Sequence, residues 1–151
     1  MATYTLQVLR GLSTGRSLLS CREDGFVDLW FEDDASGRQR WELTQLPELG
    51  RDVFNIKVAG GTLPGERYLS CARDGSIVDL FEGDDGSGRQ RWVLAKVRSN
   101  PPIPAYYTLS PFKGAGGLLS CTADGTKVDL FDGDDHSGRQ RWQLQGNPLS
   151  I

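Results

Sequence analysis

Two stretches of this 151-residue chain carry side chains suited to holding a polar ligand, and each occurs three times. The first is an acid-leucine-aromatic triplet: Asp28-Leu29-Trp30, Asp79-Leu80-Phe81 and Asp129-Leu130-Phe131. The second is an acidic loop ending in arginine, with Asp33, Asp34 and Arg38 in the first copy, Asp84, Asp85 and Arg89 in the second, and Asp134, Asp135 and Arg139 in the third. In each triplet a valine precedes the acid, and the Val-Asp-Leu-aromatic alternation reads as a strand. Residues two apart on a strand share a face, so Val and Leu point inward while the acid and the ring project together. An aromatic face packs on the apolar C–H face of a pyranose, and a carboxylate accepts hydrogen bonds from its hydroxyls. The loop adds further acceptors and donors for neighbouring hydroxyls. These fifteen residues form the candidate sugar-binding set, up to three sites of one design. The first site, with Trp30 and Phe31, is expected to stand apart from the two Phe sites, and the loop position held by Ala35, Gly86 and His136 also varies.

The same loop admits a purely structural reading. The acid caps the turn, glycine supplies backbone freedom, and Arg pairs with Asp. Calcium is a third use of Asp28, Asp33 and Asp34, but their spacing does not match an EF-hand loop, and no metal is expected.

The search for catalytic groups is short. The chain has no Gly-x-Ser-x-Gly elbow, no His-Glu-x-x-His and no phosphate-binding loop ending in Lys-Ser/Thr. One histidine, His136, cannot serve three equivalent sites. Nothing singles out a carboxyl of raised pKa for a two-carboxylate glycosidase. The expectation is a binding protein without a cofactor, not an enzyme. The formal charge is −3, with Lys and Arg spread through the repeats, which argues against a nucleic-acid footprint. No apolar run approaches the roughly 20 residues of a membrane span, so no membrane insertion is expected. The first eight residues alternate like a strand and lack the charged start and apolar block of a signal peptide. The expected location is therefore the cytoplasm, or outside by a route with no recognisable signal. Cys21, Cys71 and Cys121 are equivalent and odd in number, a poor disulfide framework. They read as small buried apolar side chains. A zinc site would need a fourth ligand, and His136 lies in a loop of that form found once.

Positioning these residues requires a repeat architecture. The cysteines recur every fifty residues, and Trp41, Trp92 and Trp142 recur in step. Each copy shows four strand signals. The first is an upstream alternating stretch (Tyr4–Leu9, 53–58, 106–109). The second is Leu-Ser-Cys, closed by an Asp-Gly hairpin turn at Asp24-Gly25, Asp74-Gly75 or Asp124-Gly125. The third is Val-Asp-Leu-aromatic, and the fourth is Gln-Arg-Trp-x-Leu. Copy one is a residue shorter after its Asp-Gly pair. Asn100-Pro101-Pro102-Ile103-Pro104 reads as a crossing between copies two and three, since Pro donates nothing to a ladder. Twelve strands in three units predict an all-β fold: a single β-trefoil domain over 1–151 with pseudo-threefold symmetry and repeats at about 1–50, 51–102 and 103–151. A propeller is the rival, but it needs four to eight blades.

The fourth strands carry Gln39-Arg40-Trp41, Gln90-Arg91-Trp92 and Gln140-Arg141-Trp142. Three Gln-x-Trp triplets in phase with the repeat resemble the ricin B-type trefoil lectins, over nearly the whole chain. The resemblance implies a structural role for the triplet, with Trp in the core and Gln ordering the backbone. It implies a sugar site on the third strand and the following loop, with glycans of the galactose or N-acetylgalactosamine type as partners. Two departures separate the chain from that chemistry. The family's sugar-binding Asp near the end of the second strand falls close to Cys21, Cys71 and Cys121, and its Asn before the Gln is here Arg38, Arg89 and Arg139. The expected function is a multivalent lectin, acting as a monomer or small homo-oligomer on glycans or glycoconjugates. The alternative is a trefoil protease inhibitor, whose candidate loop is the least repeat-like stretch, 97–102, or a toxin-targeting module.

Overall fold

The computed structural model describes residues 3–65, 67–97, 106–113 and 116–146. The proline-rich crossing at 100–104, and with it most of the stretch at 97–102, lies outside the described residues. The first copy contributes β1 (Thr3–Val8), β2 (Leu18–Cys21), β3 (Val27–Trp30) and β4 (Trp41–Gln45). The second contributes β5 (Val53–Val58), β6 (Tyr68–Cys71), β7 (Val78–Phe81) and β8 (Trp92–Val97). The third contributes β9 (Tyr106–Pro111), β10 (Leu118–Cys121), β11 (Val128–Phe131) and β12 (Trp142–Gly146).

Six of these strands close a ring. β1 pairs with β4, β4 with β5, β5 with β8, β8 with β9, β9 with β12, and β12 returns to β1, all antiparallel. Closure leaves these strands no open edge. The remaining strands form three hairpins, β2–β3, β6–β7 and β10–β11, in identical register, with Ser20 opposite Asp28, Ser70 opposite Asp79 and Ser120 opposite Asp129. Their third strands meet one another around the axis. The architecture is the β-trefoil that the repeat predicts.

Threefold equivalence is visible in the barrel register. Tyr4 lies opposite Trp41, Phe54 opposite Trp92 and Tyr107 opposite Trp142. Leu6, Ile56 and Leu109, two residues along each first strand, are fully buried, as are the three tryptophans. Burying three Trp side chains removes a large apolar area from water, and each indole N–H must find an acceptor. Trp41, Trp92 and Trp142 donate to the carbonyls of Leu19, Leu69 and Leu119 at 2.9, 2.9 and 3.0 Å. Each tryptophan thus ties the barrel to its own hairpin.

The fourth strand differs from the sequence expectation in one respect. It begins at Trp, not at Gln. In the first copy Gln39 and Arg40 lie in a turn, where the Arg40 amide donates to the Gly37 carbonyl at 3.2 Å. The glutamine is fully buried and spends its amide on side-chain duty instead of a ladder. Its Nε2 donates to Ser20 Oγ at 2.9 Å, and its Oε1 accepts the Asp34 amide at 3.0 Å. Gln90 and Gln140 repeat both bonds.

Candidate functional site

The acidic loops are held almost entirely by their own side chains. In the first copy Asp33 Oδ1 accepts the Ala35 amide at 3.0 Å, Asp34 Oδ1 accepts the Ser36 amide at 2.9 Å, and Ser36 Oγ accepts the Arg38 amide at 3.2 Å. The other two loops repeat this chain of bonds. These are Asx turns, in which a short carboxylate satisfies the amide two residues on. The second oxygen of the leading acid is taken by an arginine outside the candidate set. Arg40 reaches Asp33 at 2.6 Å, Arg91 reaches Asp84 at 2.8 Å and Arg141 reaches Asp134 at 2.8 Å. Arg38, Arg89 and Arg139 sit 3.7, 3.3 and 4.0 Å from Asp34, Asp85 and Asp135. Arg38 and Arg139 also donate to Gly61 and Gly11 in the adjoining copy, each at 3.3 Å.

Backbone geometry explains the loop sequence. Gly37 has φ +96°, and a Cβ there would stand 2.9 Å from the Gly60 amide nitrogen. Both conditions demand glycine. The position two residues earlier is also left-handed, yet it holds Ala35 at φ 69° and His136 at φ 65°, with Gly86 at φ 83° in the second copy.

Electrostatics follow from these contacts. Hydrogen bonds from the hydroxyl and amide of Ser36 hold Asp34 below the usual carboxylate range, and Ser87 and Ser137 do the same for Asp85 and Asp135. Burial pushes Asp84 upward, but bonds from Arg91, the Gly86 amide and Asn55 outweigh it and leave it low. Among the described residues no group of three or more His, Cys, Asp or Glu side chains is arranged to share a metal ion.

The strand residues behave as the alternation predicts, with one difference between copies. Val27 and Leu29 are buried, and Asp28 and Trp30 project from the other face. Asp28 is nevertheless only 6% exposed, whereas Asp79 is exposed and Asp129 half-buried. The cause is local to the first copy. Asp28, Trp30, Asp34 and Arg38 share a cavity of about 310 Å³ with Arg16 and Arg22. Ser20, Cys21 and Gln39 also line it. The Arg16 guanidinium lies 5.2 Å from the Trp30 ring centroid and 4.9 Å from that of Phe31. The Arg22 guanidinium lies 4.5 Å over Phe26, with its Nε 3.8 Å from Asp28. Burial raises the Asp28 pKa, opposed by Arg22, Arg16 and Arg38. Asp33 does not line this cavity, and its carboxylate faces Arg40. In the other copies Phe81 and Phe131 are 39% and 46% exposed beside Asp79 and Asp129.

Arg16 and Arg22 were missed by the sequence reading. The signal that marks them is a difference between copies. Counted from the cysteines, Arg16 corresponds to Glu66 and Gly116, and Arg22 to Ala72 and Thr122. The cysteines themselves are buried thiols. Burial raises Cys21 and Cys121 to about 12 and Cys71 to about 11, so they stay protonated at neutral pH and serve as packing. A larger cavity, about 500 Å³, opens between Tyr4, Phe54 and Tyr107 of the barrel and holds none of the candidate residues.

The closed six-strand barrel and its three hairpins define the chain as a β-trefoil. No family model matches it, and a search of curated proteins finds no match. Solved structures do resemble it. A Culex quiquefasciatus salivary protein of the Cysteine and Tryptophan-Rich family is 18% identical, with 95% of this chain and 92% of that one covered and a TM-score of 0.67. The BEL β-trefoil is 12% identical over 97% of this chain and 93% of its own, with a TM-score of 0.69. Polyporus squamosus lectin, solved with the epitope Neu5Acα2-6Galβ1-4GlcNAc, is 14% identical, with a TM-score of 0.67; 95% of this chain is covered, but only 48% of the lectin's.

Proposed function

We propose that this protein is a lectin, a carbohydrate-binding trefoil without catalytic activity, and that its principal sugar site is the pocket of the first copy. One observation carries the reading. A nearly buried carboxylate, Asp28, and an exposed indole, Trp30, open onto one cavity of about 310 Å³. That volume is at the lower end of small-ligand pockets and suits a single sugar residue. The location agrees with the third-strand site that the ricin B-type resemblance implies. The fold shared with the Polyporus lectin, whose structure contains a sialylated glycan, also supports it.

In this reading Asp28 accepts from sugar hydroxyls, Trp30 supplies an apolar edge, and Arg38 with Asp34 forms the loop-side wall. Asp79 with Phe81, and Asp129 with Phe131, form shallower secondary sites, bounded by Asp85 and Arg89 or Asp135 and Arg139. Asp33, Asp84 and Asp134 act by holding the loop. Three weak sites on one molecule give avidity on a dense glycan surface. A glycan array followed by titration calorimetry tests the proposal. Binding to at least one glycan class is expected, abolished at the first site by Trp30→Ala and weakened in avidity by Phe81→Ala and Phe131→Ala. Absence of binding to every glycan at millimolar sugar rules the proposal out.

A further inference from the structure

The first copy departs from the other two at both positions that flank its pocket. Arg16 stands where the others have Glu66 and Gly116, and Arg22 where they have Ala72 and Thr122. The fold does not require these arginines, since the second and third copies build the same hairpin without them.

Their surroundings show what they are suited to. Arg16 lies against Trp30 and Phe31, and its Nη1 makes a long, 3.4 Å bond to the Leu29 carbonyl. Arg22 lies on Phe26, and its 3.8 Å approach to Asp28 is longer than a hydrogen bond. The structural arginines of the same molecule look different: Arg40, Arg91 and Arg141 close on their carboxylates at 2.6 to 2.8 Å. A guanidinium held by an aromatic face keeps its planar fork of N–H donors for another acceptor, and a carboxylate matches that fork two bonds at a time. The first pocket is also charge-neutral as it stands, with Arg16, Arg22 and Arg38 against Glu23, Asp28 and Asp34, so its acids do not outnumber the cations that would meet an anion.

We propose that the pocket of the first copy is selective for an acidic sugar, a pyranose bearing a carboxylate, which Arg16 and Arg22 grip while Asp28 accepts from a ring hydroxyl. This rests on the lectin reading and narrows it to one ligand class at one site.

The test is calorimetry on the full chain with glucuronate, galacturonate and N-acetylneuraminate, each against its own methyl ester, and with acetate as a bare carboxylate. At least one acid is expected to bind about tenfold more tightly than its ester, the range of one charge-assisted contact. That advantage should shrink as salt rises, and acetate should show no saturable binding. Arg22→Ala and Arg16→Gln, singly and together, should bring the acid-to-ester ratio toward one, with the unfolding midpoint recorded for each variant to separate lost recognition from lost fold. Equal affinity for acid and ester in the unaltered protein overturns the inference and leaves the lectin standing. Acetate binding as tightly as the acid overturns it in favour of a plain anion site. Failure of all three acids and their esters overturns the inference, while the lectin reading stands or falls separately on the glycan array.

Discussion

The pocket of the first copy and its counterparts in the second and third share one backbone and one loop, yet they present different surfaces. Asp28 lies nearly buried beside Arg22, with Arg16 laid on the neighbouring ring, while Asp79 stands exposed beside an open Phe81. Beneath these rims almost nothing differs. The Trp-to-carbonyl bonds agree within 0.1 Å between copies, and the Gln-to-Ser bonds are all 2.9 Å. The protein has kept its supports constant and varied the positions five residues before and one residue after each cysteine. The difference teaches that repetition in this chain marks scaffold, and that departure from repetition marks the place to look for selectivity.

The largest expected effect tests the shared part. Trp41→Ala, Trp92→Ala and Trp142→Ala should each lose about 3–5 kcal/mol of stability, the usual cost of emptying a buried aromatic site. Chemical denaturation should find the three alike, and a tryptophan far cheaper than its partners would break the equivalence of the scaffold. Next comes Gln39→Ala against Gln90→Ala. Each strands a buried Ser hydroxyl and a loop amide, for about 1–3 kcal/mol. Only the first should also impair the enclosed pocket, which a sugar titration would reveal.

A smaller effect concerns the left-handed loop position. Ala35→Gly should stabilise by up to about 1 kcal/mol and Gly86→Ala should cost a similar amount, because only the side chain's clash with a positive φ is at stake, while His136→Gly should gain less because it also gives up the 3.3 Å contact between Arg141 Nη2 and His136 Nδ1. Thermal melts of the three variants provide the check. A stabilised Gly86→Ala would mean that the copies' loops differ in the native state.

The smallest effects are in pH dependence, and their signs oppose one another. Burial raises Asp28 above its unfolded value, so its ionised form opposes folding at neutral pH and the penalty fades as pH falls through the folded pKa toward 3.8. Asp28→Asn should therefore be stabilising at pH 7 and progressively neutral toward pH 4. Asp34 is lowered, so its contribution is present above 3.8 and is lost as pH falls through its depressed value. Asp34→Asn should destabilise at pH 7 and matter progressively less as pH falls below 3.8. Denaturation midpoints measured across that range would expose either sign as wrong.

Much of the scaffold was legible in the chain. The fifty-residue period, the alternation in Val-Asp-Leu-aromatic and the Asp-Gly turns are local signals, and the hairpins form where they indicate. The candidate site was legible in outline. Asp28 and Trp30 do share a face and a cavity. The bonding of the loop was harder to read, because Asp33 pairs with Arg40 seven residues on, across a turn that adjacency in sequence does not reveal.

The sequence alone determined the trefoil, since apolar periodicity and turn chemistry act over a few residues and three in-phase copies can close a barrel only together. Which acid is enclosed was decided by tertiary structure. Arg16 precedes β2 and Arg22 follows it, and they reach Asp28 and Trp30 only once the β2–β3 hairpin has folded beside the acidic loop. Burial of a charge, unlike strand alternation, depends on everything within a few ångströms in space, and that neighbourhood exists only in the folded chain.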